Sequence, residues 1–124
     1  MIRLSHVNVS MSRGPEAERI ARAFYTGILG LPEIPKPLMM RANGGLWFDA
    51  NGQHVHLSVE EPRSGPDAQR HFGMEFDDIE LIRAKLISGG FRPETASPAP
   101  WQRFFVNDPF GNRIEIHELG GLSK

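Results

Sequence analysis

Two stretches of this chain, "HVNVSM" from His6 and "HFGMEF" from His71, open on a histidine and then alternate polar with apolar residues. A period of two marks a strand with one core face, because successive side chains leave a strand on opposite sides. Each stretch is followed by an apolar stripe at helical spacing. The first is Ala17, Ile20, Ala21, Phe24 and Ile28 in "PEAERIARAFYTGILG"; the second is Ile79, Ile82 and Leu86 in "DDIELIRAKLISGG". Pro15 suits a first helical turn and Gly30 the position after the last, while an Asp cap opens the second helix and a glycine stops it. Each helix leads to a hairpin, "LWFDANGQHVHLSV" turning at Asn51-Gly52 and "RFFVNDPFGNRIEIHEL" turning at a Pro/Gly segment. "LPEIPKP" between the first helix and its hairpin reads as extended, proline-punctuated chain. A strand–helix–strand–hairpin unit therefore occurs twice, which restricts the fold more than any composition does.

The landmarks of the two halves align. His6 matches His71, Gly52 matches Gly111, and "GQHVHLS" lies over "GNRIEIH", which sets His56 against Glu115. The boundaries expected are module one at about 1–61, a linker at about 62–67 rich in turn formers, and module two at about 68–119. The chain has 124 residues, enough for one domain built of two small halves. A formal charge of −1 with scattered Lys and Arg predicts no nucleic-acid partner and no basic membrane patch. No apolar run approaches a membrane span, and no signal-peptide pattern opens the chain, so a soluble cytoplasmic protein is expected. Cysteine is absent, which excludes disulfides and thiolate metal sites, so the five histidines are the metal-binding resource.

Parity separates the faces. In "QHVHLSV", Val55, Leu57 and Val59 share one side, and His54, His56 and Ser58 the other. In "RIEIHEL", Ile114 and Ile116 oppose Arg113, Glu115 and His117. In the first strand, Val7 and Val9 oppose His6 and Asn8. A two-residue turn at Asn51-Gly52 predicts Trp47 opposite His56 and Asp49 opposite His54. Each strand thus has an apolar face for a helix and a second face bearing His or Glu. A wet outer face would favour Lys, Thr, Glu and Arg, whereas here His or Glu recurs at equivalent places. A tryptophan among these polar groups suits a pocket better.

These residues resemble the vicinal oxygen chelate superfamily, which includes glyoxalase I, bleomycin-resistance proteins, fosfomycin-resistance transferases and extradiol dioxygenases. The resemblance rests on "HVNV", "FYTGILGLPE", "GGLWFDANGQHVHL", "HFGMEF" and "DPFGNRIEIHE", which together span nearly the whole chain. It implies an α+β fold of two paired βαβββ modules whose mixed sheets form a cup. It also implies metal ligands at His6, His71 and Glu115, and it puts His56 in the fourth place, as ligand or general base. Glyoxalase I carries a glutamate there, so His56 argues against glutathione-linked activity. The resemblance further implies a homodimer.

Two neutral imidazoles and a carboxylate suit one divalent ion, Fe, Mn, Co, Ni or Zn, with positions left open for water and substrate. Asn8, on the His6 face, is a candidate hydrogen-bonding residue for substrate. Trp47, Trp101 and Phe104 are candidate apolar walls, and Arg113 a candidate partner for an anionic group. His54 and His117 read as structural or solvated. The function expected is a metal-dependent glyoxalase-like lyase or isomerase, or a dioxygenase, acting on a small substrate through adjacent oxygens. The alternative is a metal-free protein of the bleomycin-resistance type that sequesters its ligand.

Overall fold

The alternation at His6 produces strand β1 (His6–Met11), whose Met11 end is buried. A computed structural model describes residues 1–60 and 69–123; the linker expected at about 62–67 lies outside the described residues. Helix α1 (Pro15–Arg22) carries Pro15 in its first turn, where the missing N–H costs nothing. It does not run to its end as a regular α-helix. Residues Ala23–Ile28 are wound wider, as a π-helix, and the Leu29 N–H reaches back five residues to the Phe24 carbonyl at 3.0 Å. The wider turn brings Tyr25 and Leu29 into the core beside Ala17, Ala21 and Phe24, and Tyr25 stacks on Phe48 with ring centroids 5.3 Å apart. Gly30 then adopts φ +81°, the left-handed conformation expected of a helix stop.

Short strand β2 (Glu33–Ile34) lies in the proline-punctuated segment, and a 3-10 stretch (Leu38–Asn43) leads to β3 (Leu46–Ala50) and β4 (Gln53–Val59). Asn51 and Gly52 both have positive φ, 55° and 94°, as the hairpin turn requires. The register follows: Trp47 pairs with His56 and Asp49 with His54. The sheet order is β1-β4-β3-β2, with β1 parallel to β4 and the other pairs antiparallel.

The second half repeats the plan. It comprises β5 (Phe72–Phe76), α2 (Ile79–Ser88), β6 (Glu94–Thr95), β7 (Arg103–Asn107) and β8 (Arg113–Glu118), in sheet order β5-β8-β7-β6. The Asp78 carboxylate accepts the Leu81 N–H at 3.1 Å and caps α2, whose Ile79, Ile82 and Leu86 are buried. The β7–β8 turn is organised by the Asp108 carboxylate. It accepts the backbone N–H groups of Phe110 and Asn112 and the Asn112 side-chain amide, at 2.8–2.9 Å. The parallel pairings of the two halves are equivalent: Asn8 lies opposite His56, and Gly73 opposite Glu115. The chain thus divides into two compact units, Met1–Ser64 and Gly65–Lys124, each a βαβββ module with a mixed sheet. Among the described residues no helix is long and apolar enough to cross a membrane.

One detail differs from the sequence expectation. His71 does not open β5, which begins at Phe72. Its ring turns back on its own chain instead, with Nδ1 at 2.9 Å from the Gln69 carbonyl oxygen.

Candidate functional site

In the first unit the polar faces of β1, β3 and β4 assemble a column of rings. The His56 ring lies between two others: His6 at 4.3 Å between centroids and Trp47 at 3.9 Å, the latter within 2° of parallel. Cross-strand pairing produces this, because Trp47 is the antiparallel partner of His56. His56 is 9% exposed, although parity turns it away from the Val55–Leu57 face; both sides of β4 are covered. Its Nε2 lies 3.1 Å from Nδ1 of His54. Burial, assisted by the positive charges of His6, His54 and Lys36, lowers the His56 imidazole from its ordinary value to about 4. It is therefore neutral at physiological pH. His6 is exposed, and its Nδ1 is 2.8 Å from the Ser5 hydroxyl. Asn8 accepts the Ser58 hydroxyl proton at 2.8 Å.

In the second unit Glu115 is the centre. It is 8% exposed and sits in the middle of β8 with Ile114 and Ile116 buried on the other side. Three groups converge on its carboxylate. His71 Nε2 is 3.4 Å from Oε1, Arg103 Nη1 is 3.6 Å from the same oxygen, and the Trp101 indole N–H donates to Oε2 at 3.4 Å. Gly73, opposite Glu115, has no side chain to crowd the site; a Cβ there would come within 3.3 Å of His117 Nε2. Gly121 packs tightly on Trp101, where an added Cβ would meet the indole Cβ and Cγ at 2.9 Å. The loop-borne Trp101 is thereby held against the sheet, a position its loop sequence does not announce.

The His71 geometry has chemical content. The Gln69 carbonyl can only accept, so Nδ1 carries a proton, and Nε2 is the ring atom turned toward Glu115. That nitrogen lies 3.4 Å from a carboxylate oxygen. A proton on Nε2 or a cation between the two atoms would join them, and a carbonyl behind Nδ1 is the usual way a ligand imidazole is oriented. His6 has the Ser5 hydroxyl at its Nδ1, a group that can either donate or accept. The donor chemistry of His6, His71 and Glu115 fits a divalent ion, but among the described residues no group of three or more His, Asp or Glu side chains is placed to hold a metal.

Phe104 does not take the role of a wall. It is fully buried beneath the α2 side chain Arg83, whose guanidinium carbon is 4.3 Å from the ring centre. The β7–β8 register explains this: Phe104 pairs with Ile116, and Phe105 with Glu115, so Phe105 has the Glu115 face. Phe105 meets the His71 ring edge-on at 5.0 Å. Arg113 lies over Phe105 at 4.1 Å and pairs with Glu94 at 3.1 Å. Arg103 and Phe105 are the residues that sequence reasoning missed. Their signal was the period-two parity of "RFFVN", which could be applied only once the register across the longer turn was known. His117 is 3% exposed, and its Nδ1 has no hydrogen-bond partner among the described residues. It is thus buried, not solvated.

Comparison with known proteins agrees with this architecture. Residues 4–116 match the family model described as the Glyoxalase/Bleomycin resistance protein/Dioxygenase superfamily. A glyoxalase family protein from Bacillus anthracis is similar at 34% identity and TM-score 0.80, over 95% of each chain. The fosfomycin resistance protein FosX from Listeria monocytogenes shares the fold at 14% identity and TM-score 0.73, covering 96% of this chain and 93% of that one. TnmS3, an antibiotic binding protein from Streptomyces sp. CB03234, shares it at 20% identity and TM-score 0.71, over 95% and 96%. No curated protein sequence matches the chain. With a family model matched over nearly its whole length and duplicated βαβββ modules, the chain belongs to the glyoxalase/bleomycin resistance protein/dioxygenase superfamily.

Proposed function

We propose that the chain is a divalent-metal-dependent enzyme, a glyoxalase-like lyase or isomerase or a dioxygenase, acting on a small substrate held through adjacent oxygens. His6, His71 and Glu115 are the proposed ligands of one Fe, Mn, Co, Ni or Zn ion. The observation that carries the reading is the His71–Glu115 pair, an imidazole anchored at Nδ1 whose Nε2 faces a buried carboxylate at 3.4 Å. Bound there, the ion would act as a Lewis acid on a substrate oxygen. His56, neutral and stacked between His6 and Trp47, suits a ligand or a wall better than a general base; a pKa of about 4 leaves it weakly basic at neutral pH. Asn8 and Trp47 on one unit, and Trp101 and Phe105 on the other, are the proposed substrate contacts. Two such chains are proposed to form a homodimer, which light scattering on the purified protein would test against a monomer mass of 13.9 kDa.

The decisive measurement is metal content after reconstitution with Fe, Mn, Co, Ni and Zn in turn. One ion per chain in the wild type, lost in His71→Ala and Glu115→Gln, supports the reading. A wild type that takes up no stoichiometric metal sinks it.

A second reading is a metal-free binding protein. It is favoured by the Arg103 guanidinium and Trp101 N–H, which already serve the Glu115 carboxylate, and by the flat Trp47–His56–His6 ring column. Under that reading Glu115→Gln leaves metal content unchanged at zero, and a planar aromatic ligand binds the chelator-treated protein as tightly as the untreated one.

A further inference from the structure

Beside the His71–Glu115 pair lies a cleft of about 350 Å³ lined by Gln69, His71, Thr95, Ser97, Arg103 and Arg113 among others. The volume is that of a small-ligand site. Its character is unusual for a chain with scattered charge: two guanidinium groups share it, and both stack on one aromatic ring. Arg113 lies 4.1 Å and Arg103 5.5 Å from the Phe105 centroid. Stacking engages the faces of the planar forks and leaves hydrogen bonding to their edges, through which a guanidinium binds an oxyanion by two parallel hydrogen bonds.

The existing partners of these arginines are incomplete or displaceable. Arg103 donates from Nη2 to the Ser97 carbonyl and hydroxyl at 3.1 and 3.0 Å, and its Nη1 is 3.6 Å from Glu115. Its Nε–H is buried without a hydrogen-bond partner among the described residues. A buried donor left unmade is costly, and a ligand oxygen would satisfy it. Arg113 pairs with Glu94, which is half exposed, and an ion pair of that kind contributes little.

We propose that this cleft is an oxyanion subsite, in which Arg103 and Arg113 receive the terminal phosphate, phosphonate or carboxylate of the substrate while its adjacent oxygens lie toward His71 and Glu115. The chemical class of substrate is then a small molecule with an anionic head a few bonds from a pair of vicinal oxygens. The placing of the vicinal oxygens rests on the metal reading above; the anion subsite does not. Thr95 and Ser97 add hydroxyl donors at the rim, and Glu94 acts as an internal competitor that a ligand displaces.

The test uses the full-length, chelator-treated, isotope-labelled protein. Inorganic phosphate, methylphosphonate and acetate are titrated separately at constant ionic strength while the amide and arginine Nε–H resonances are followed. Saturable shifts at Thr95, Ser97, Arg103 and Arg113 are expected. Phosphate and methylphosphonate saturating ahead of acetate assigns a tetrahedral head, and the reverse a planar one. Arg103→Gln and Arg113→Gln should each raise the dissociation constant about tenfold or more. Glu94→Gln should lower it, by about threefold, because it frees Arg113; a variant that merely misfolds cannot bind more tightly. No saturable shift with any anion, equal affinity in the arginine variants, or weaker binding in Glu94→Gln each overturns the proposal. Metal content of Arg113→Gln is measured in parallel and should equal that of the wild type. An anion subsite without metal, or metal without an anion subsite, then separates the two readings.

Discussion

Glu115 is one residue in a strand of isoleucines, and its surroundings explain why an acid is tolerated there. Alternation turns it off the apolar face, and an indole N–H, a guanidinium and an imidazole supply the polar partners that a nearly buried carboxylate requires. Glycines answer the opposite need. Gly45 has φ +86°, and a Cβ there would collide with the Leu57 carbonyl oxygen. Gly45→Ala should therefore lower stability by about 2 kcal/mol or more, which urea unfolding of the purified variant would measure. His56 makes a second residue-level prediction, for the metal-free protein. Its folded pKa of about 4 lies below the ordinary 6.5, so the unfolded chain binds the extra proton between these values. Stability is complete above pH 6.5 and falls as pH drops toward 4, by up to about 3 kcal/mol. Unfolding curves of His56→Gln should lack most of that dependence; an unchanged slope would place its origin elsewhere.

Elements show where local rules suffice. Helix α2 begins at an aspartate whose carboxylate caps it and buries the three residues its spacing singles out. Asp78→Ala should cost about 1 kcal/mol, and Leu86→Ala, at a fully buried position, about 2–5 kcal/mol; thermal or urea denaturation distinguishes the two. Helix α1 follows the same rules to Arg22 and then departs from them. An α-helical spacing marks Phe24 and Ile28, but the wider winding buries Tyr25 and Leu29 more deeply than Ile28. The stacking of Tyr25 on Phe48 of β3 accounts for the change, since tertiary packing outweighs the small local preference for α over π winding.

For the whole molecule, the repeat is the organising fact. The same ladder, with Asn8 against His56 and Gly73 against Glu115, places one imidazole and one carboxylate at equivalent points of two sheets. The proposed ligands draw on both units, and variants can tell whether both are needed. His6→Ala and Glu115→Gln should each abolish stoichiometric metal uptake. If Glu115→Gln does so and His6→Ala does not, the ion is held within the second unit alone.

The sequence by itself determined the strand faces, the duplicated order of elements and the Trp47–His56 pairing. These depend on a period-two alternation and on a two-residue turn whose positive φ values leave one register. The tertiary structure alone decided what touches Glu115. Trp101 arrives from a loop whose path no periodicity records, and Phe105, not Phe104, takes the site face because the longer Asp108–Asn112 turn leaves the β7–β8 register open. Alternation and turn chemistry act between near neighbours in the chain. Contacts between loop and sheet are settled by packing, where a one-residue shift exchanges a core side chain for a site side chain.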